Sequence, residues 1–470
     1  VNPIYFLIRI TNLKDYIVKF IGVYMKHVSE FVDREEKADS LSTGFIGKLE
    51  GETYILKEFL SKSEISYEVQ ERGPRREALA EGVSSLIYKE ILGERAPDIE
   101  FVRGDDGKAY LSSKFFHDFK TLSELTDGKD GSALGEKRDE IAKIEGFEKV
   151  IAACLVCGEV DIHAGNIGVV PSEDGKLVAV KIDHGRTTYL SLQSYSLMLD
   201  SLSDRFGKVG YRDFKFDVSV LRTELEKASS ITKDRFSELV GAKISEAKEA
   251  GFEISSISME RKGEGKKTFG EMHDPDLAPM LPQKTYVRGK GHVTITEGRA
   301  VPEEKRAEFE EGAYLKASET FSSFFDKQAK VCRELCSVLE IVEKMQEPSK
   351  DWKKGAWLKD LEDKDPISFA IDNDLEIDGK NPIIWCRENR KDLEEKGIYP
   401  FGKDDPVQYY KKNDIEIGGK SVDKYCEEKG IPTIDTKTIG DTLRSSLSSQ
   451  KHDAGVQVGR IPESRSMGKA

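Results

Sequence analysis

Short apolar runs and longer helical periods alternate along the first half of the chain, and their order predicts a mixed α+β architecture. Thr53-Tyr-Ile-Leu-Lys57 and Ala109-Tyr-Leu-Ser-Ser-Lys-Phe-Phe116 read as strands, while residues 75–87 carry apolar side chains at helical spacing. Ile167-Gly-Val-Val-Pro171 and Leu177-Val-Ala-Val-Lys-Ile182 read as a hairpin around the turn Ser172-Glu-Asp-Gly-Lys176. Beyond it the pattern turns helical. Residues 191–206 and 218–251 space their apolar positions three and four apart. Residues 303–346 read as one long helix or two, closing the preceding unit or leading away from it. The stretch 261–299 is rich in glycine, proline and charge with little apolar periodicity, which predicts an exposed loop. Its cations suit either a solvated linker or a phosphate-bearing membrane.

The ends differ from this middle. The first 25 residues are apolar, but Arg9, Lys14, Asp15 and Lys19 interrupt them. No run approaches the ~20 apolar residues of a spanning helix, so no transmembrane segment is expected. No signal-peptide cleavage pattern follows. A packing or interfacial helix is the expectation there. Near the other end, Asp365-Pro-Ile-Ser-Phe-Ala-Ile-Asp-Asn-Asp374-Leu-Glu-Ile-Asp-Gly379-Lys recurs as Asp405-Pro-Val-Gln-Tyr-Tyr-Lys-Lys-Asn-Asp414-Ile-Glu-Ile-Gly-Gly419-Lys. Cys386 recurs as Cys426 at the same offset of 40 residues. From about residue 445 onward little apolar content remains, and a disordered tail is expected.

Composition narrows the class. A net charge of −13 with 34% charged residues argues against a nucleic-acid protein and discourages unaided adhesion to an anionic membrane. A soluble cytoplasmic enzyme of two or three domains fits the length of 470 residues. Cys154 and Cys157 have redox or zinc spacing, yet they lie in the apolar run Val150-Ile-Ala-Ala-Cys-Leu-Val-Cys157 and no second pair has metal spacing. Buried, reduced helix cysteines are the expectation.

The candidate chemistry sits in Asp161-Ile-His-Ala-Gly-Asn166 and Ile182-Asp183-His184-Gly185. One carboxylate, Asp161, can orient an attacking hydroxyl, while Asn166 and Asp183 supply the hard oxygen ligands that Mg²⁺ or Mn²⁺ requires beside ATP phosphates. The predicted hairpin brings those two ligands side by side. Upstream, Gly44 and Gly47 form a glycine-bearing turn whose backbone can approach phosphate. Lys57, at the end of the next strand, can neutralise phosphate charge. It needs an acidic partner, and the helix over 75–87 offers Glu77, our choice, or its rival Glu81 one turn on.

In this order, the elements resemble the kinase fold, and more narrowly the phosphatidylinositol 3-/4-kinase family. His163, two residues after Asp161, stands where lipid kinases carry their histidine, while Ile162 and His184 replace the family's usual Arg and Phe. The resemblance implies a two-lobed protein-kinase-like fold with a β-rich first lobe and a helical second lobe, followed by an all-α repeat module. It implies ATP and Mg²⁺ as cofactors, Asp161 and His163 as catalytic residues, and a phosphoinositide membrane lipid as substrate. Gly379-Lys-Asn-Pro-Ile-Ile-Trp-Cys386 resembles the helix opening of ankyrin repeats, although the period exceeds their usual ~33 residues. The expected domains are a helical segment at 1–39, a catalytic core at 40–255, a loop or linker at 256–302, a helical extension at 303–348, ankyrin-like repeats at 349–444 and a tail at 445–470. Such a fusion is similar to effectors that intracellular bacteria deliver into host cells, where the repeats would bind a host protein. Three functions compete: lipid kinase, atypical protein kinase, and non-catalytic scaffold.

Overall fold

An antiparallel five-stranded sheet opens the structure. The computed structural model describes residues 26–36, 44–58, 74–104, 109–125, 143–159, 162, 165–185, 187, 217–255, 257–261, 265–273, 284–287, 291–294, 303–345 and 365–433. They divide into two units, one ending at Pro366 and the other beginning at Ile367. In the first unit, β1 (Val32–Glu36), β2 (Gly44–Leu49), β3 (Glu52–Glu58), β4 (Ile99–Arg103) and β5 (Ala109–Lys114) lie in the order β1-β2-β3-β5-β4. The two-residue period of a strand separates the sheet's faces. Tyr54 and Leu56 pack with Val28, Phe31 and Val102 on one side. Lys57 faces the other, opposite Gly44 on β2 and Leu111 on β5.

Helix α1 (Pro74–Leu92) packs on that second face through small residues. A Cβ at Gly82 would lie 2.4 Å from the Phe101 ring, so only glycine permits this approach. The exposed edge of β4 is covered by α4 (Lys233–Glu249): Phe101 N–H donates to Glu246, and buried Lys243 donates to the carbonyl of Ile99. Backbone groups that would otherwise template another strand are satisfied there.

Helix α2 (Phe147–Cys157) is buried from Val150 to Cys157. A helix with no polar face must lie at a centre, and α1, α3 (Val218–Ser229), the long α5 (Glu303–Lys344) and the strand Leu177–Lys181 enclose it. Cys154 and Cys157 are buried free thiols, as their apolar setting predicts. The 42-residue α5 presents Phe309, Ala313, Phe321, Phe325, Cys332 and Leu339 to the interior and packs along α3 and α4. It is one helix that closes the first unit. A second sheet has the order β6-β7-β8, with β6 (Lys120–Thr121), β7 (Ile167–Pro171) and β8 (Leu177–Lys181). The hairpin between β7 and β8 and its turn fall where the sequence puts them.

Two expectations are corrected. Residues 32–36, read within a helical segment, form β1, because they complete the sheet against β2. The presumed loop at 256–302 carries two hairpins, Ser258–Arg261 with Gly265–Thr268 and Lys284–Val287 with Gly291–Thr294, and the helical turn Phe269–His273. Buried Phe269 packs against Phe321 of α5 with the rings tilted, an anchor too sparse to register as periodicity. The expected helix at 191–206, the N-terminal 25 residues and the tail at 445–470 lie outside the described residues.

The second unit is a structural repeat. Helices Pro366–Asp372 and Pro382–Glu388 correspond to Pro406–Lys412 and Val422–Lys429, with Arg390–Glu395 between the pairs. Asp374 and Asp414 share left-handed backbone, as do Gly379 and Gly419. The ion pairs Lys380–Glu388 and Lys420–Glu428 also match. The repeats are joined by Arg387, whose guanidinium donates two bonds to Asp405, at 2.6 and 2.9 Å.

Candidate active site

The close approach of α1 to the sheet decides how Lys57 is held. Its ammonium donates to both carboxylate oxygens of Glu81, at 2.8 and 2.9 Å, and lies 3.6 Å from Asp183. The Lys57 and Glu81 side chains are 12% and 4% exposed, so this pair is shielded from water, whereas Asp183 is 51% exposed. The helix partner is therefore Glu81 and not the expected Glu77. Glu81 adjoins Gly82, where the helix comes against the Phe101 ring, and the 3.6-residue period turns it toward β3. Glu77 lies one turn earlier, with its Cβ beside Gly185. Burial works against the Lys57 ammonium, but the charges of Asp183 and Glu81 outweigh it and hold its pKa above the ordinary lysine value. Lys57 in turn holds the Asp183 carboxyl well below the usual carboxylate range.

Asp183 occupies a turn that is fastened from several sides. The hairpin register pairs Ile167 with Lys181, and the next rung is Ile182 N–H donating to Asn166 O at 3.0 Å. Asn166 is thus carried opposite the residue before Asp183. Asp183 itself is left-handed (φ 54°), a conformation aspartate tolerates, and its Oδ1 accepts from Gly185 N–H at 3.3 Å. Thr187 Oγ1 donates to Ala80 O of α1 at 3.2 Å. The buried His184 ring stacks on Tyr88 of α1, with centroids 3.9 Å apart and planes 17° from parallel. Burial, reinforced by Lys181, pushes the His184 pKa far below its ordinary value, so the imidazole is neutral. Beneath the turn, Lys181 is fully buried and donates to the carbonyls of Ile182 and Asp183, both at 2.6 Å.

The glycines lie in a strand and not in the expected turn. Gly44 and Gly47 lie within β2, and a Cβ at Gly44 would stand 2.0 Å from the carbonyl oxygen of Leu56. One at Gly47 would meet Phe31 Cβ at 3.1 Å. Close strand packing beside Lys57 restricts both positions to a small residue. The segment joining β1 to β2, residues 37–43, lies outside the described residues, as do Asp161 and His163. Lys181 and Tyr88 were not anticipated. A charged residue closing the apolar run Leu177-Val-Ala-Val was the available signal for the first.

The donor chemistry suits a divalent cation and a polyphosphate. Asp183 offers a solvent-facing carboxylate that stays ionised, Asn166 lies on the adjoining strand end, and Lys57 is a fixed cation beside them. A separate concavity of about 590 Å³ is lined by Glu90, Arg95, Glu145 and Lys227. Its charges pair among neighbours, as in Arg95–Glu145 and Lys227–Glu224, and its lining does not include Lys57, Asn166 or Asp183.

Residues 108–278 match the family described as LepB N-terminal domain. An uncharacterised protein of Rickettsia conorii is 29% identical over 389 residues, covering 78% of this chain and 48% of that protein. Another, from Rickettsia prowazekii, is 26% identical over 390 residues, covering 78% and 55%. The chain thus spans about half the length of the curated relatives it matches. A crystal structure of the Helicobacter pylori proinflammatory kinase CtkA is similar over 47% of this chain and 86% of that one, with 15% identity and a TM-score of 0.29. No helix among the described residues is long and apolar enough to cross a membrane.

Proposed function

We propose that this protein is an ATP-dependent phosphotransferase with a kinase-like arrangement of lobes, acting on the inositol ring of a phosphoinositide lipid. The observation that carries the reading is the joint placement of Lys57, Glu81 and Asp183. A shielded lysine gripped by a helix carboxylate and facing a solvent-exposed aspartate is what binding and orienting a polyphosphate demands. Bound Mg²⁺ or Mn²⁺ would be held by Asp183 and Asn166, and would neutralise charge that develops on the phosphates during transfer.

The chain's own residues then divide the work. Lys57 provides the fixed positive charge for the phosphates, and Glu81 keeps it aimed. Asp183, poised on a backbone turn that Lys181, Thr187 and His184 brace, presents its carboxylate without needing to reorganise. Asp161 orients the acceptor hydroxyl, and His163 takes its proton or stabilises charge nearby. The lipid assignment rests on the position of His163 after Asp161. The repeats of the second unit are proposed to be an ankyrin-like protein-binding module.

Incubating the full chain with labelled ATP, phosphatidylinositol and phosphoinositide vesicles, and a protein panel tests this. Label in the inositol lipids is the expected result. Label confined to protein would replace the lipid reading with a protein kinase, and no transfer or MgATP binding would favour the scaffold.

A further inference from the structure

Lys181 has no counterpart among the residues assigned above to phosphate, metal or acceptor. It is the last residue of β8, where strand alternation sends its side chain into the interior, and it is 0% exposed. A buried ammonium is costly unless its donors are satisfied and its charge is countered. Two donors go to the consecutive carbonyls of Ile182 and Asp183, at 2.6 Å each. Among the described residues, the carboxylate paired with it is Glu159, 3.9 Å away and equally buried. Glu159 follows Gly158, whose left-handed backbone ends α2, and its N–H donates to Cys154 O at 2.9 Å. The position of Glu159 is therefore fixed by a helix buried from Val150 to Cys157. From α5, Gln328 donates to Leu155 O at the same helix end.

These contacts form one chain of support, from α2 through Glu159 and Lys181 to the backbone that carries Asp183. Pulling both carbonyls toward a single ammonium constrains two successive peptide planes, and a residue at φ 54° needs such constraint to persist. Glu159 also stands two residues before Asp161 in the sequence, so the same buried pair is anchored where the second carboxylate-bearing segment begins.

We infer that Lys181, held by Glu159, is a positioning residue that fixes the Asp183 carboxylate for metal. This deepens the phosphotransferase reading and rests on it only for the metal. The structural half stands alone: without the ammonium, the 182–187 turn loosens.

The test uses the full chain carrying Lys181→Met, alone and with Glu159→Gln. The single variant strands a buried carboxylate and should melt earlier than wild type. The double variant removes both charges and should recover most of the loss. Hydrogen exchange of the peptide covering 182–187 should nevertheless be faster in the double variant, with α2 unchanged. The Mg²⁺ concentration for half-maximal ATP turnover should rise about 10-fold or more, while the KM for ATP moves less. A merely structural pair, neutralised together, would leave both readouts at wild-type values, and that result overturns the inference. Faster exchange in a protein whose wild type neither binds MgATP nor transfers phosphate would uphold the positioning role and reject the phosphotransferase.

Discussion

Lys57 and Glu81 are joined by two hydrogen bonds, 2.8 and 2.9 Å long, across an interface from which water is nearly excluded. The pair ties the central strand of one sheet to the helix that covers it. Glu81→Ala should destabilise the protein by about 3 kcal/mol, the low end for stranding a buried charge, because Asp183 still faces Lys57. Glu77→Ala should cost under about 1 kcal/mol. In activity assays, Lys57→Met and Glu81→Ala should combine less than additively, since both remove one interaction. Denaturant melts and a double-mutant cycle check this; a larger effect at Glu77 would reassign the partner.

Gly44 and Gly47 separate packing from phosphate binding. Gly44→Ala forces a Cβ against the Leu56 carbonyl and should cost about 3 kcal/mol, displacing β2 from β3 beside Lys57. Gly47→Ala meets only Phe31 Cβ and should cost about 1 kcal/mol. MgATP affinity of the folded Gly47→Ala protein should equal that of wild type. A large, equal loss of affinity at both glycines, without loss of stability, would restore the phosphate-cradle role.

His184 makes stability depend on pH in a defined direction. Its folded-state pKa is depressed by burial, so the unfolded chain takes the proton first. The contribution is fully present above the unfolded pKa of about 6.5 and is lost as pH falls below it, by about 1.4 kcal/mol per pH unit. His184→Phe keeps an aromatic ring against Tyr88 and removes the proton. Between pH 7.5 and 5.5, its Tm should fall less than that of wild type, by roughly 2–4 °C. Identical slopes would mean that the ring is protonated in place.

In the second unit, Asp405 has two duties. It accepts both bonds from Arg387, and its Oδ1 caps the helix Pro406–Lys412 by accepting from Val407 N–H at 3.0 Å. Asp405→Ala should cost about 2–3 kcal/mol, combining cap and partly buried pair. Asp405→Asn retains the cap and should cost less. Proteolysis within residues 365–433 and the Tm of this unit report both; equal costs would show that the cap contributes nothing.

Strands β3 and β5, the β7–β8 hairpin, α1 and the repeat could be read from the chain because each announces itself locally, through alternation, helical period or an identical motif. The partner of Lys57 could not. Glu77 and Glu81 are one turn apart, and the choice depends on where Gly82 lets the helix touch Phe101, a contact between distant segments. Lys181 was hidden for a similar reason: only the fold brings Glu159 to within 3.9 Å of it. β1 was missed because five exposed residues, Val32-Asp-Arg-Glu-Glu36, form an edge strand by pairing alone. No apolar period marks such a strand.

The most direct test of the phosphotransferase is a comparison of wild type with Asp183→Ala, both as folded full chains, using labelled ATP, Mg²⁺ and the lipid and protein panel. Asp183 is half exposed, and its loss removes the Lys57 contact and the Gly185 N–H bond and leaves alanine at φ 54°, so the variant should melt several degrees below wild type yet stay folded. Wild type should transfer phosphate, and the variant should lose transfer by about 10²-fold or more, because the carboxylate acts through charge at the reacting phosphates. Full activity in a folded Asp183→Ala protein would contradict the proposed site.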